Sequence, residues 1–151
     1  MRISKRGEYG LRAMIRLAEH SLYESDKPIL QIKEISAAEN IPAKFLEQIL
    51  VTLKNAGLIQ SKKGIFGGYY LGKPADQITF GTIFRILDGP LAPIKCVSKM
   101  AYEPCDCPSE ETCGLRMVMG DVRNAIANIL DNTTLADIAS RVKKVREGSI
   151  E

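Results

Sequence analysis

No stretch of this 151-residue chain approaches about eighteen consecutive apolar residues, so no membrane-spanning helix is expected. The opening MRISKRGEYG is charged and has no continuous apolar run behind it, so a secretory signal is not expected either. Histidine occurs once, as His20, and a lone imidazole at a helical position reads as structural rather than as a metal ligand. There is no internal repeat, no low-complexity tract and no phosphate-cradling loop. Neither sign of charge dominates: 21 Lys and Arg against 18 Asp and Glu leave a net charge of +3, too mild to imply nucleic acid without a look at how the charge is distributed. With 45% hydrophobic and 26% charged residues the composition is that of an ordinary soluble domain, able to build a core without disulfides. A cytoplasmic location is expected, where thiols stay reduced and serve metals or redox chemistry.

The cysteines are few and local. All four lie between residues 96 and 113, at Cys96, Cys105, Cys107 and Cys113. That same stretch is acidic, with Lys99 against Glu103, Asp106, Glu110 and Glu111. From Pro42 to Lys73 the balance is reversed, with five lysines (44, 54, 62, 63 and 73) against the single acid Glu47. One segment suits an anion, the other a cation.

Apolar periodicity predicts a first helix from about Lys5 to Leu22, with Leu11, Met14, Ile15, Ala18 and Leu22 on one face. A short helix follows over about Gln31–Glu39. Asn40-Ile41-Pro42 makes a turn, with Pro42 suited to the first position of a third helix, Ala43–Asn55, because its missing N–H would be unpaired there anyway. Gly57 ends that helix. Leu58–Ser61 and Tyr69–Leu71 read as two short strands joined by a glycine-rich hairpin with Lys62 and Lys63 at its base. A fourth helix spans about Phe80–Leu87. After the cysteine loop a long helix covers about Gly114–Leu130, and Thr133 to Asp137 caps and begins a last one. Residues 143–151 read as a frayed tail.

The order helix, short helix, turn, helix, lysine-based hairpin is that of a winged helix-turn-helix. An α-helix fits the major groove of duplex DNA, where base pairs differ in donors, acceptors and methyl groups, and the second helix of such a unit enters N-terminal residues first. Those residues are Pro42, Ala43, Lys44, Glu47 and Gln48. Lys44 suits a guanine edge or a phosphate, Gln48 an adenine and Glu47 a cytosine amino group. Lys62 and Lys63 are placed for phosphate, and Gly67 and Gly68 let the backbone come close.

The four cysteines form the second constellation. Thiolates are soft ligands for zinc or iron–sulfur clusters. Structural zinc sites are usually built from C-x2–4-C knuckles, and none is present, whereas longer gaps let a loop wrap something larger than one ion. An iron–sulfur centre is therefore favoured over zinc. Free thiols or a redox disulfide pair are the alternative.

With both constellations in place, the chain resembles the family of small bacterial winged-helix regulators that includes IscR, NsrR, RirA and CymR. The resemblance runs over nearly the whole chain. It is carried most specifically by Met1-Arg2-Ile3-Ser4, by FLEQILVTLKNAGLIQSKKGIFGGYYLG from Phe45 to Gly72, and by CPSEETCGLR from Cys107 to Arg116. It implies a homodimer on a palindromic operator, pairing through the long helix after the cysteine loop. It also implies an iron–sulfur cluster, 2Fe–2S or 4Fe–4S, held by Cys96, Cys107 and Cys113. Cys105 is then an extra thiol, or takes the place of Cys107. Glu8 of the partner's first helix aligns with a fourth ligand used by some members. Others use a histidine three residues after the last cysteine, and Arg116 stands there. By position, the resemblance assigns DNA contact to Lys44, Phe45, Glu47, Gln48 and Lys63.

The expected protein is therefore mainly α with a small β wing. Residues 1–88 form the winged helix, 89–113 the sensor loop, 114–142 the dimerisation helices and 143–151 a flexible tail. Leu115, Val118, Met119, Val122, Ile126 and Ile129 give the long helix more apolar surface than a last helix needs, which suits two-fold pairing. The expected function is that of a transcription regulator, a repressor, whose cluster shifts the population between two dimer arrangements. Half-sites lie about 34–36 Å apart, so a small rotation weakens binding. A metal-free regulator sensing oxidants through its thiols is the alternative. An enzyme, such as a thiol oxidoreductase using Cys105-Asp106-Cys107, is the remote one, since no second catalytic group stands nearby.

Overall fold

The computed structural model describes residues 2–24 and 26–148. Helix α1 spans Lys5–Glu19. Ser4 caps it, its Oγ accepting from the Gly7 N–H, and Ser4 also donates to the Asp88 carboxylate through its own N–H and hydroxyl. The chain leaves α1 through a π-helical turn, His20–Glu24, so the first helix is regular only to Glu19 and not to Leu22. Here Glu24 pairs with Arg16, and His20 lies against the Lys27 carbonyl.

Helix α2 (Ile32–Glu39) begins at a capping box of Gln31 and Glu34 and ends at Asn40, which takes the left-handed conformation. Helix α3 (Ala43–Asn55) follows, with Pro42 as the residue before its first turn rather than within it. Strands β1 (Ile59–Lys62) and β2 (Gly68–Leu71) pair antiparallel in the register Ile59↔Leu71 to Lys62↔Gly68. Leu30 adds a third short pairing, on Tyr69 of β2, so the hairpin is anchored to the residues that lead into α2. After a 3₁₀ turn at Ala75–Gln77, helix α4 (Phe80–Asp88) starts at the Thr79 cap and stops at Gly89.

The core lies where α1, α3 and α4 cross. Met14, Leu17, Leu46, Ile49, Leu50, Leu53 and Ile83 are fully buried there. Gly10 lies at the contact of α1 with α4, where a Cβ would force the Leu87 side chain to move. Helix α5 (Gly114–Asp131) is different, with no buried residue, although it touches α4 and the short turn at Lys95–Val97. Its C-terminal end is held by two hydrogen bonds from Arg85 to Asp131, at 2.6 and 2.8 Å. Helix α6 (Leu135–Arg146) returns to the body, burying Leu135 and Ala139, and pairs Arg146 with the buried carboxylate of Glu19 on α1. The expected tail is thus helical through Arg146, because that ion pair and the α1 contact hold it. Residues 149–151 of the expected tail lie outside the described residues.

Candidate functional site

The first turn of α3 stands out from the body. Its inward stripe, Leu46, Ile49, Leu50 and Leu53, is buried, which turns Lys44, Glu47 and Gln48 into solvent together with Pro42 and Ala43. Phe45 behaves differently: it is half-buried, with its ring edge-on to Tyr9 at 5.4 Å, and it braces α3 against α1. Arg6 reinforces the same junction through a 2.9 Å hydrogen bond to Thr52.

Beside this helix lies the hairpin. Lys62 ends β1 and Lys63 follows it, and both are exposed. Neither they nor Lys44 forms an ion pair among the described residues, so their charge is free to act on an outside anion. The wing is tied to α3 by Lys54, whose ammonium donates to Ser61 at 2.7 Å. Gly67 is buried against the Lys62 carbonyl, where a Cβ has no room. Gly68 has φ +150° and lies against the Leu30 carbonyl. These two glycines shape the wing around its own backbone and the Leu30 strand.

The cysteine loop is the second region. Cys96 is buried in the turn at its start. Cys113 is half-buried at its end, where its Sγ accepts from the Arg116 N–H as the N-cap of α5. Between them Cys105 and Cys107 are joined in a disulfide, with Cα atoms 5.4 Å apart. Glu110 gathers the loop: it accepts from the Tyr102 hydroxyl at 2.7 Å and from the Cys105 N–H at 3.3 Å, and lies 3.9 Å from Arg116. The Tyr102 hydrogen bond holds the Glu110 carboxyl below its ordinary pKa and raises that of the phenol. An open cleft of about 390 Å³ separates the loop from α5 and is lined by Cys96, Lys99, Tyr102, Arg116 and Arg123.

A family model described as Rrf2, iron-dependent transcriptional regulator, matches residues 3–141. This chain belongs to the Rrf2 family. It is 37% identical over 140 residues to the HTH-type transcriptional regulator CymR of Bacillus subtilis, covering 93% of this chain and 91% of that protein. The solved structure of the same protein, described as the global cysteine regulator of B. subtilis, superposes with a TM-score of 0.76 over 93% of this chain and 98% of that one. The structure of IscR from T. potens matches with a TM-score of 0.73 at 28% identity, covering all of this chain and 93% of that one. CymR of Staphylococcus aureus in its oxidized form matches at 0.66 with 37% identity, over 92% of this chain and 96% of that one. This Rrf2 protein is thus a DNA-binding transcriptional regulator with a winged helix, and not an enzyme. No helix among the described residues is long and apolar enough to cross a membrane.

The geometry tests whether the Rrf2 loop of this chain fits an iron–sulfur cluster. Its sulfurs sit in three places: the buried foot of the loop, the Cys105–Cys107 bond and the start of α5. Cys107 is no free thiolate while it is bonded to Cys105, so the set Cys96, Cys107 and Cys113 does not fit a cluster in this arrangement. The Cys105–Cys107 bond is instead the disulfide pair that stood as the alternative to a cluster. Among the described residues no three His, Cys, Asp or Glu side chains are grouped to hold a metal ion. Glu8 is engaged on its own helix, 3.4 Å from Lys5 and 3.6 Å from Arg12.

On α5 the apolar residues divide. Leu115, Val118 and Ile129 are exposed, whereas Met119, Val122 and Ile126 are half-buried, with Ile126 facing Phe84 and Leu91 of its own chain. Together with Ala125, the positions 115, 118, 122, 125 and 129 alternate spacings of three and four, the pattern of a seam between two helices. Tyr102, Glu110, Arg85 and Asp131 were not among the expected site residues. The partner of Arg85 lies 46 positions away, and no local pattern marks it.

Proposed function

We propose that two copies of this chain pair along α5, place their two α3 helices in successive major grooves of a palindromic operator, and lose or gain operator affinity with the redox state of the cysteine loop. The observation that carries the last clause is the Cys105–Cys107 disulfide, in an acidic loop whose end caps the pairing helix. The chemistry is thiol–disulfide exchange: two thiols, Cys105 and Cys107, react with a low-molecular-weight disulfide, forming the protein S–S bond and releasing two small thiols. Glu110 and Arg116 link the loop to the first turn of α5, and Arg85 and Asp131 link its last turn to α4. A change in the loop thereby bears on the angle between the pairing helices and the DNA-reading unit. The oxidized form of the S. aureus CymR relative supports a thiol-based reading. Acting on DNA, the protein would work in the cytoplasm.

A second reading is supported by the two free thiols, Cys96 and Cys113, and by the iron-dependent description of the family model. With the disulfide reduced, Cys96, Cys113 and Cys107 or Cys105 would be the chain's ligands for a 2Fe–2S or 4Fe–4S cluster, with the partner's Glu8 as the fourth. That group would supply a redox- or nitric-oxide-sensitive centre. One preparation distinguishes the two: protein purified without oxygen, assayed for iron, sulfide and free thiols, then for operator affinity before and after oxidised glutathione. A colourless protein whose affinity changes as two thiols disappear, with the change abolished in Cys105→Ser, supports the thiol reading. A brown protein with stoichiometric iron and sulfide, kept in Cys105→Ser, overturns it in favour of the cluster.

A further inference from the structure

We propose that Ile65 and Phe66, at the tip of the wing, form an apolar wedge that enters the operator's minor groove, partly unstacks one base step and bends the duplex. The inference rests on the DNA-binding reading and adds to it a site that the polar residues of α3 and the wing lysines do not account for. Ile65 and Phe66 are 83% and 80% exposed, more than any other large apolar side chain among the described residues. Hairpin tips are ordinarily built from Gly, Asn, Asp, Ser and Pro, so a water-facing Ile-Phe pair has no use in making the turn.

The turn itself is made by the flanking glycines. Gly64 has φ +106°, and the Gly67 N–H donates to the Gly64 carbonyl at 3.0 Å. This brackets the two large residues at the apex. The tip is also held in place from outside the hairpin: Gln31, at the start of α2, donates from its side-chain amide to the Ile65 carbonyl at 3.0 Å, and the Lys27 ammonium lies 5.8 Å from the centre of the Phe66 ring. Pairing of Leu30 with Tyr69 fixes the base of the same strand. Two exposed apolar side chains on a braced apex form a preorganised probe, ordered before its partner arrives.

Position and charge say what that partner is. Lys62 and Lys63 sit directly below the tip, with no acid paired to either among the described residues, on the hairpin that packs against α3 through Lys54 and Ser61. When those lysines rest on phosphate, the residues beyond them overhang the neighbouring minor groove. Proteins that bend DNA from that groove insert Phe, Leu, Ile, Met or Pro between base steps, and the kinks amount to about 20–90°. The steps that yield most readily are TA and CA/TG, so the wedge would add sequence preference at positions no polar side chain touches.

The test uses the full-length protein on an operator obtained by selection, with a fluorophore pair on the duplex ends to read bending and 2-aminopurine placed at steps under the wing. Wild type should bend the operator by tens of degrees and brighten 2-aminopurine at one step in each half-site. The double variant Ile65→Ser, Phe66→Ser should bind about tenfold or more weakly and lose both signals. Phe66→Leu, which keeps an apolar wedge, should retain the bend. A mismatch at the wedged step should strengthen wild-type binding and leave the double variant unmoved. Both side chains face water, so circular dichroism should show an unchanged fold. A straight wild-type complex overturns the wedge, as does a double variant that bends and brightens the DNA as wild type does. A double variant that retains both signals but no longer binds a second protein makes the tip a protein-docking surface instead. Failure of wild type to bind any duplex would overturn the DNA reading itself, a separate result.

Discussion

Substituting Val118 by glutamate should separate the two copies of the protein without unfolding either. In one protomer Leu115, Val118 and Ile129 are 60%, 56% and 63% exposed. Fully burying a side chain of this kind stabilises by about 1.5–3 kcal/mol, so covering the exposed part is worth about 1–2 kcal/mol each, or roughly 6–12 kcal/mol over six side chains in a dimer. Val118→Glu removes two of these contributions. It also sets two carboxylates into an apolar seam, where their desolvation and mutual repulsion cost about as much again. The total, about 4–8 kcal/mol, corresponds to a dimer weaker by roughly 1,000-fold or more. Because α5 has no buried residue in the protomer, thermal unfolding monitored by circular dichroism should be little changed at concentrations where both proteins are monomeric. Sedimentation equilibrium gives the dissociation constant, and a gel-shift titration should show operator affinity falling with it, since a monomer covers one half-site. A variant that dimerises within threefold of wild type would refute α5 as the seam. Ile126→Glu is a poorer test, because that side chain faces Phe84 and Leu91 and its loss disturbs the protomer too.

Lys63→Ala should weaken binding to all duplexes alike and reduce the salt slope of log K by about one unit, readable by fluorescence anisotropy at several salt concentrations. Gln48→Ala should cost about 1–3 kcal/mol on the selected operator and much less on other sequences; equal losses everywhere would remove it from base recognition. Asp131→Asn should destabilise the protein by about 0.5–1 kcal/mol at pH 7 in urea unfolding, a modest figure because the carboxylate is 41% exposed. Arg85 holds the Asp131 carboxyl below its ordinary pKa, chiefly by hydrogen bonding. Its contribution is therefore complete above the unfolded pKa of about 4 and is lost as pH falls through the lower folded value, so variant and wild type should converge in strong acid.

Most of the winged helix was legible in the chain because its cues are local. Helix α3 has its expected bounds, Ala43–Asn55, since the apolar spacing, the Asn40–Pro42 turn and Gly57 all act within a few residues. The two strands differ from expectation by one residue at their ends, because pairing with each other and with Leu30 sets their limits. The lysines of α3 and the wing were legible as well, since a charge reversal along the chain needs no fold to be seen. The partner of Phe45 was not: the apolar spacing puts this residue on the inner stripe of α3 and the resemblance puts it among those that touch DNA, and only the packing of α1 sets Tyr9 against its ring. The last helix was read as ending at residue 142, because the ion pair between Arg146 and Glu19 joins residues 127 positions apart. The cysteines were legible as one device, but their division was not. Spacing alone allows any of the four to share a cluster. In the folded loop, which the Tyr102–Glu110 hydrogen bond spans, Cys105 meets Cys107 while Cys96 and Cys113 stay free. The amino-acid order by itself determined the elements and their chemistry. The tertiary structure alone decided which side chains were left facing outward to act, because burial and long-range pairing are properties of the packed chain.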